Sequence, residues 1–348
     1  MKEVAVIGHF NFGENCYNGQ TIKTKIVTDE LDKQLGNNEV LKFDTAGGFK
    51  SLFKAPFLCR TALKSAKNII IFPAHNGVRV YSPLLMFFKK FFKERKLYYV
   101  VIGGWLPKFI AKKRILSSIL KKFDKIYVET TVMQISLEKM GFKNIEIMQN
   151  CKELTILSEK ELQYFHQPPF KLCTFSRVNK MKGIEDAVNV INAINKEKGE
   201  VIYALDIYGM VDKGQEQWFE NLKKSFSKNV KYCGAIPPEK SVEVLKNYFA
   251  LIFPTHYFTE GIPGTIIDAF SSGLPVIYSK WQSANDILDK TTGIEYEFDN
   301  IDQFKKVLIE VLENPKIIND KRKNCIEKAN NYIPCSAVKI LVDEIRKI

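Results

Sequence analysis

Short apolar runs alternate with helix-length stretches along almost the whole chain, and this rhythm limits the fold more than any other feature. EVAVIG (3–8), NIIIFPA (68–74), LYYVVIGG (97–104), KIYVET (125–130) and NIEIMQN (144–150) have strand length and are bounded by Pro, Gly or Asn. A helix is expected over 21–35, after a Gly/Asn-rich loop at 11–19. Strands separated by helices argue for a parallel sheet covered on both faces. The polar stretch 151–169, with Pro168-Pro169, interrupts the rhythm and reads as an interdomain linker. The alternation then restarts with FKLCTFS (170–176), IYALDIYG (202–209), VKYCG (230–234), YFALIFPT (248–255) and LPVIYS (274–279). Helices are expected at 184–198, 216–226, 241–247, 301–313 and 337–347. At 348 residues the chain has room for about two domains. The expected fold is α/β, with two Rossmann-like, doubly wound domains facing a cleft. The expected boundaries are 1–155 and 156–330, with a C-terminal helix at 331–348 that packs back on the first domain. In such sheets ligands bind beyond the carboxyl ends of the strands.

Charge divides the chain as the strands do. Lys and Arg exceed Asp and Glu by 13 overall, by 12 within 1–170 and by one within 171–348. The excess concentrates in 50–125, which holds 18 basic residues and two acidic ones, Glu94 and Asp124. Such a segment points to one face that meets an anionic surface. Phe and Lys are interleaved in 51–64 and 84–96. Helices packing their apolar faces with Lys outward would explain the aromatics, but not the scarcity of acids. A face lying on anionic lipid explains both. No apolar run reaches the ~18 residues of a membrane span, and the N-terminus lacks the pattern of a signal peptide. The seven cysteines include no C-x-x-C spacing, and their apolar settings point to buried thiols in a reducing cytosol. The expected location is cytoplasmic and peripheral, on the inner face of the cell membrane.

Two loops carry the chemistry. In P-T-H-Y-F-T-E-G-I-P-G-T-I-I-D-A-F-S-S-G-L-P-V (254–276), a strand gives way to a loop presenting Glu260. Gly261, Pro263 and Gly264 then turn the backbone into a helix starting near Thr265, with Asp268 in its first turn. Pro suits a helix start, Gly admits close approach of a ligand, and the helix N-terminus is an anion site. Acidic groups on both sides of an anion site suit a diphosphate between two polyols, as in a nucleotide-sugar. In F-S-R-V-N-K-M-K-G (175–183), Arg177 and Lys182 place two cations on one loop. They can hold a diphosphate without a metal and stabilise it as it leaves. Taken alone, Glu260 and Asp268 are an ordinary loop acid and helix acid, and Arg177 or Lys182 an ordinary surface charge. The order and spacing of the two motifs favour a ligand site.

These motifs resemble glycosyltransferase family 4. S-R-V-N-K-M-K-G is similar to the family's G-R-x-x-x-x-K-G, and E-G-I-P-G-T-I-I-D-A to E-G-x-P-x-x-x-x-E-A, with G-L-P-V-I downstream. Asn18-Gly19-Gln20-Thr21 stands where the family has a Gly-rich loop, and Asn150 matches the Asn at its domain junction. The resemblance implies the GT-B fold and metal-independent, retaining transfer of a sugar from a nucleotide-sugar, UDP-sugars being the most frequent donors. It implies that Arg177 and Lys182 bind the diphosphate and that Glu260 contacts the sugar hydroxyls. Gly261 and the backbone of Pro263, Gly264 and Thr265 line the sugar and phosphate site. Asp268, one methylene shorter than the family's Glu, holds the ribose diol, while Ala235 and Ile236 frame the base. Gly19 lets its own loop approach the diphosphate. Many members carry a His where this chain has Gly103-Gly104-Trp105, and His75, on the loop after the preceding strand, is the nearest substitute. No cofactor is implied. The expected acceptor is a glycan hydroxyl, lipid-linked, in capsular, exopolysaccharide or O-antigen synthesis. A soluble transferase with a small acceptor is the alternative. A basic nucleic-acid-binding protein without catalysis is a second, disfavoured by the absence of zinc spacing and aromatic–glycine RNA motifs.

Overall fold

A computed structural model describes residues 1–12, 19–47 and 53–347, so Cys16 and Asn18 lie outside the described residues. The chain forms two compact units, one of Met1–Glu153 with Tyr332–Ile348, the other of Leu154–Asn331.

In the first unit the strands are β1 (Lys2–Gly8), β2 (Val40–Asp44), β3 (Ala66–Ile71), β4 (Lys96–Val100), β5 (Lys125–Val128) and β6 (Ile145–Ile147). Its helices are α1 (Gly19–Leu35), α2 (Ala55–Ser65), α3 (His75–Lys89), α4 (Leu106–Ile110), α5 (Arg114–Leu120) and α6 (Thr131–Lys139), with α14 (Pro334–Arg346) returning from the end of the chain. The sheet is parallel, in the order β2-β1-β3-β4-β5-β6. Alternate strand residues serve opposite faces. Ala5, Ile7, Ile69 and Ile71 meet α2, α3, α5 and α6 through Cys59, Val78, Leu85, Leu120 and Leu137. Val4, Val6, Ile70 and Tyr98 point the other way, toward Val27 and Leu31 of α1 and Val338, Leu341, Val342 and Ile345 of α14. Each of those four α14 side chains contributes about 1.5–3 kcal/mol by leaving water.

The second unit holds β7 (Phe170–Phe175), β8 (Tyr203–Tyr208), β9 (Val230–Gly234), β10 (Ala250–Phe253), β11 (Val276–Ser279) and β12 (Gly293–Tyr296). Between and after them run α7 (Ile184–Lys198), α8 (Glu216–Lys223), α9 (Ser241–Leu245), α10 (Gly264–Ser271), α11 (Ile301–Glu313), α12 (Lys316–Asn319) and α13 (Arg322–Ala329). The parallel order is β12-β11-β10-β7-β8-β9. Strand order reverses between β7 and β10, which makes their carboxyl ends the topological switch point. The helix α7 behind β7 has Glu185 and Asp186 in its first turn, Lys196 and Lys198 in its last, and Gly199 at φ +70° as its stop.

Both units are therefore Rossmann-like, with two six-stranded parallel sheets. Sequence patterning misses both edge strands on one side, β2 and β12, which are short and only half-buried in part. It sets no bounds for α2 to α6, α12 or α13, although α2 falls almost wholly within 51–64, for which a packing helix is one of the two readings. The stretch 151–169 is not a free linker. Leu157 and Leu162 are buried against Val242 and Ile326, and Leu157 N donates to Ser271 O at 2.9 Å. Its polar composition conceals two anchoring leucines. Among the described residues no helix is long and apolar enough to cross a membrane.

Candidate active site

The loops after β7 and β10 lie side by side because their strands are neighbours in the sheet. Gly183 draws them together. Its φ is +67°, and a Cβ there would sit 1.8 Å from the Pro254 carbonyl oxygen. Only glycine satisfies both conditions. His256 N adds a backbone bond across the same loops, to Met181 O at 2.9 Å.

Lys182, on the first loop, contacts the Glu260 carboxylate on the second. Thr255 Oγ1 donates to the same carboxylate oxygen at 3.2 Å. Ser283 Oγ donates to the Glu260 carbonyl oxygen at 2.6 Å and fixes the loop from behind. The Lys182 ammonium also lies 5.1 Å from the Tyr257 ring centre and 5.4 Å from that of Phe253, within the range of cation–π attraction. Arg177, more exposed, pairs with Asp212 through Nη1 at 3.1 and 3.2 Å from its two oxygens. Asn179 Nδ2 donates to the same carboxylate at 2.7 Å. Both cations of the motif are thus held by acids, and the structure does not bring Arg177 and Lys182 onto one partner.

Helix α10 starts at Gly264, with Pro263 as its N-cap and no side-chain cap. The first turn of a helix leaves N–H groups without intrahelical partners. Thr265 Oγ1, in that turn, is buried with no hydrogen-bond partner among the described residues. Asp268 is not in the first turn, contrary to expectation, but is the fifth helical residue, and α10 has no acid in its first turn. Its side chain is buried and accepts from Ser241 Oγ at 2.8 Å. Ser241 opens α9, directly after the loop holding exposed Ala235 and half-buried Ile236. The hydrogen bond therefore ties the α10 acid to the 235–240 loop. Gly261 is buried on the approach to α10.

His256 is held in a different manner, between Asp186 at 3.0 Å from Nε2 and Asp299 at 2.5 Å from Nδ1. Burial pushes the Asp186 carboxyl up, and the neighbouring imidazole opposes that shift. Arg322, in α13, is fully buried and caps backbone carbonyls of Tyr248, Phe249 and Gly273 at 2.7, 2.9 and 3.2 Å. Burial lowers its pKa to about 10.

Gly19 and His75 belong to the first unit. Gly19 is the first residue of α1, and a Cβ there would meet no atom within 4 Å. His75 is not in a loop but opens α3. Its ring stacks on Trp105 with centres 4.0 Å apart and makes a T-shaped contact with Phe109, centres 4.9 Å apart. Desolvation by these neighbours, then the charges of Arg79 and Lys113, hold its pKa below the usual histidine value.

Asp212, Ser241 and Ser283 escape sequence reasoning, since each meets its partner across 23 to 35 residues of chain. Arg322 escapes it because a basic residue on a helix ordinarily faces water.

Residues 159–332 match the family model described as glycosyl transferases group 1. That span corresponds closely to the second unit. An uncharacterized glycosyltransferase of Methanocaldococcus jannaschii is 24% identical over 269 residues, which cover 71% of this chain and 66% of the relative's length. The crystal structure of Anabaena HepE in complex with UDP and glucose is similar over all of both chains, with a TM-score of 0.74 at 12% identity. S. aureus TarM is similar over 85% of this chain and 58% of its own length, with a TM-score of 0.67 at 16% identity.

Proposed function

The chain belongs to the group 1 glycosyl transferases, and from that premise we propose that it is a retaining enzyme moving a sugar from a UDP-sugar to the hydroxyl of a lipid-linked glycan. Glycosyl transfer with a GT-B fold is the common ground of the family and its structural neighbours. The UDP in the HepE complex supports the choice of base. The observation that carries the site assignment is the Lys182–Glu260 contact across the switch-point loops, directly before the uncapped start of α10.

In this reading the diphosphate lies at the N-terminus of α10, where the backbone of Pro263, Gly264 and Thr265 receives it. The Thr265 hydroxyl is a ready donor. Lys182 exchanges part of its contact with Glu260 for a phosphate oxygen, and Arg177 supplies the second positive charge. Glu260, held by Thr255 and Ser283, accepts from the donor sugar hydroxyls. Asp268, steadied by Ser241, accepts from the ribose diol, and the 235–236 backbone borders the base.

Transfer then breaks the bond from C1 of the sugar to the phosphate oxygen and forms the bond from C1 to the acceptor oxygen on the same face. The acceptor proton passes to the departing phosphate oxygen. Cations already in place stabilise the negative charge that develops there without reorganisation at the moment of reaction. The reading requires no metal ligand from the protein. His75, its pKa held below the usual histidine value, is the residue we assign to accept a hydrogen bond from the acceptor.

The lipid-linked acceptor and a site of action at the inner face of the cell membrane rest on the first unit's surface. Phe57 on α2, Phe87 on α3 and Phe91 just beyond α3 are 73%, 54% and 73% exposed, and Lys90 Nζ lies 5.8 Å from the Phe87 ring centre. Large exposed aromatics beside cations suit an anionic lipid interface.

A thermal-shift panel of nucleotide-sugars tests the donor assignment. A selective UDP-sugar at about 100 times its Kd stabilises by about 2.7 kcal/mol. No shift with any nucleotide-sugar, or a shift that Lys182→Ala leaves unchanged, would overturn the site.

A further inference from the structure

We infer that the first unit has a built groove for a single lipid diphosphate, a pyrophosphate head joined to a hydrocarbon chain. A cavity of about 780 Å³ lies between α3 and the segment leading into α5. This is the size of a small-molecule site, ~300–1,000 Å³. Four cations line it, Arg79, Lys112, Lys113 and Arg114, and no acid does. None of the four has an acidic partner within ion-pair distance among the described residues, whereas Lys89 and Lys96 on the same unit share Asp124 at 2.9 and 3.2 Å.

Two of the four, Arg79 and Lys113, are held in place by one ring. The Phe109 ring carries Lys113 at 4.0 Å and Arg79 at 4.8 Å from its centre, and Lys113 Nζ also donates to Phe109 O at 2.7 Å. One ring thus holds two like charges on the lining of the groove, where an incoming multivalent anion can pair with both. The remaining wall is apolar. Pro83 lies within it, and Ile115 stands at its border 80% exposed to solvent. An inorganic anion would leave that wall wet, and a neutral lipid would leave the cations unpaired. A diphosphate on a hydrocarbon chain satisfies both. A planar bilayer meets the convex phenylalanines better than it meets a concavity. The Phe109 ring also makes a T-shaped contact with His75, so the head of the ligand would lie on the His75 side.

The acceptor role of this ligand rests on the transfer reading above, whereas its binding does not. The test uses the whole chain with farnesyl diphosphate as the probe, titrated by calorimetry with UDP present and absent, so that the donor site is filled in one arm. Farnesol, inorganic diphosphate and vesicles of equal phosphatidylglycerol and phosphatidylcholine are the comparison ligands. Farnesyl diphosphate is expected to bind at least tenfold tighter than farnesol or inorganic diphosphate. Lys113→Ala combined with Arg114→Ala is expected to cost tenfold or more, and so is Ile115→Asp, with the UDP-induced thermal shift intact in each variant. Arg114 and Ile115 are exposed, so the fold tolerates these changes. Equal affinity for inorganic diphosphate, variants that bind like the parent, or binding of vesicles alone would overturn the groove. A chain that binds farnesyl diphosphate but no UDP keeps the groove and loses the transfer reading, and the converse loses only the groove.

Discussion

Lys182 Nζ rests on the Glu260 carboxylate, with the two side chains 12% and 17% exposed, and this contact joins the loops that follow neighbouring strands β7 and β10. In the proposed reaction a diphosphate competes with Glu260 for the same ammonium. A hydrogen bond to a charged group is worth about 1.5–3 kcal/mol, so removing the competing charge frees an appreciable fraction of it. Glu260→Gln is expected to bind UDP about tenfold more tightly while transfer falls at least about a hundredfold. Lys182→Ala is expected to lose both, with the fold retained. Calorimetry with UDP and a sugar-release assay read the two effects separately. UDP affinity that is unchanged or weaker in Glu260→Gln would show that the pair does not stand in the way of a diphosphate.

Gly183 holds the same two loops together by lacking a side chain. With φ at +67° and the Pro254 carbonyl oxygen 1.8 Å from any added Cβ, alanine has to displace backbone. Such a substitution costs roughly 2–4 kcal/mol, or about 5–15 °C in melting temperature for a unit of this size. Gly183→Ala is therefore expected to melt lower and to bind UDP more weakly, because the loop carrying Lys182 moves off the loop carrying Glu260. Gly199→Ala is the control. It shares a positive φ of +70° but has open space around it, so it bears the backbone strain without the collision. Equal melting temperatures for the two variants would contradict the assignment of the close approach.

The contrast between Gly183 and Asp212 shows what a sequence can and cannot display. Lys182, Gly183 and Glu260 sit in short motifs whose spacing is set by a local event, a strand ending in a loop that opens a helix. Their chemistry is therefore legible without coordinates. Asp212 and Ser241 act through partners set by sheet order, Arg177 from the neighbouring strand and Asp268 from the neighbouring helix, and no local pattern marks them. The central strands declare themselves by unbroken apolar runs, because helices cover both faces. Edge strands β2 and β12 are only partly covered, so their polar residues blur the signal. Asp268 reads as a first-turn acid only when the helix is taken to begin later than Gly264, an error of about one residue of the size usual at helix ends.

Asp268 is the buried acid of the site, and Ser241 Oγ donates to it at 2.8 Å from the start of α9. Removing that donor is expected to cost about 1.5–3 kcal/mol of stability and to release the acid from the 235–240 loop. Ser241→Ala should weaken UDP binding by about tenfold while leaving the turnover number of the saturated enzyme nearly unchanged, since the nucleoside end lies away from the reacting bond. Ser241→Thr, which keeps the hydroxyl, should restore most of the affinity. Steady-state kinetics over a range of donor concentration separate the two parameters. A fall in turnover number with unaltered KM would place Asp268 at the reacting centre instead.

His75 offers a test through pH. Desolvation against Trp105 and Phe109, together with the positive charges of Arg79 and Lys113, holds its folded pKa below the 6.5 of a free histidine. The folded chain therefore resists protonation that the unfolded chain accepts. The stabilisation from the neutral ring is complete above about pH 6.5 and is lost as pH falls from there through the folded value. The ring is exposed on one side, so this contribution to stability is small and the titration itself is the better readout. Arg79→Gln is expected to move the midpoint of the His75 ring, followed by proton NMR, toward 6.5. The acidic limb of transfer activity should move up in pH with it. His75→Asn should remove that limb while UDP binding stays at the parent value. A parent midpoint at or above 6.5, or an acidic limb that persists in His75→Asn, would take His75 out of the reaction.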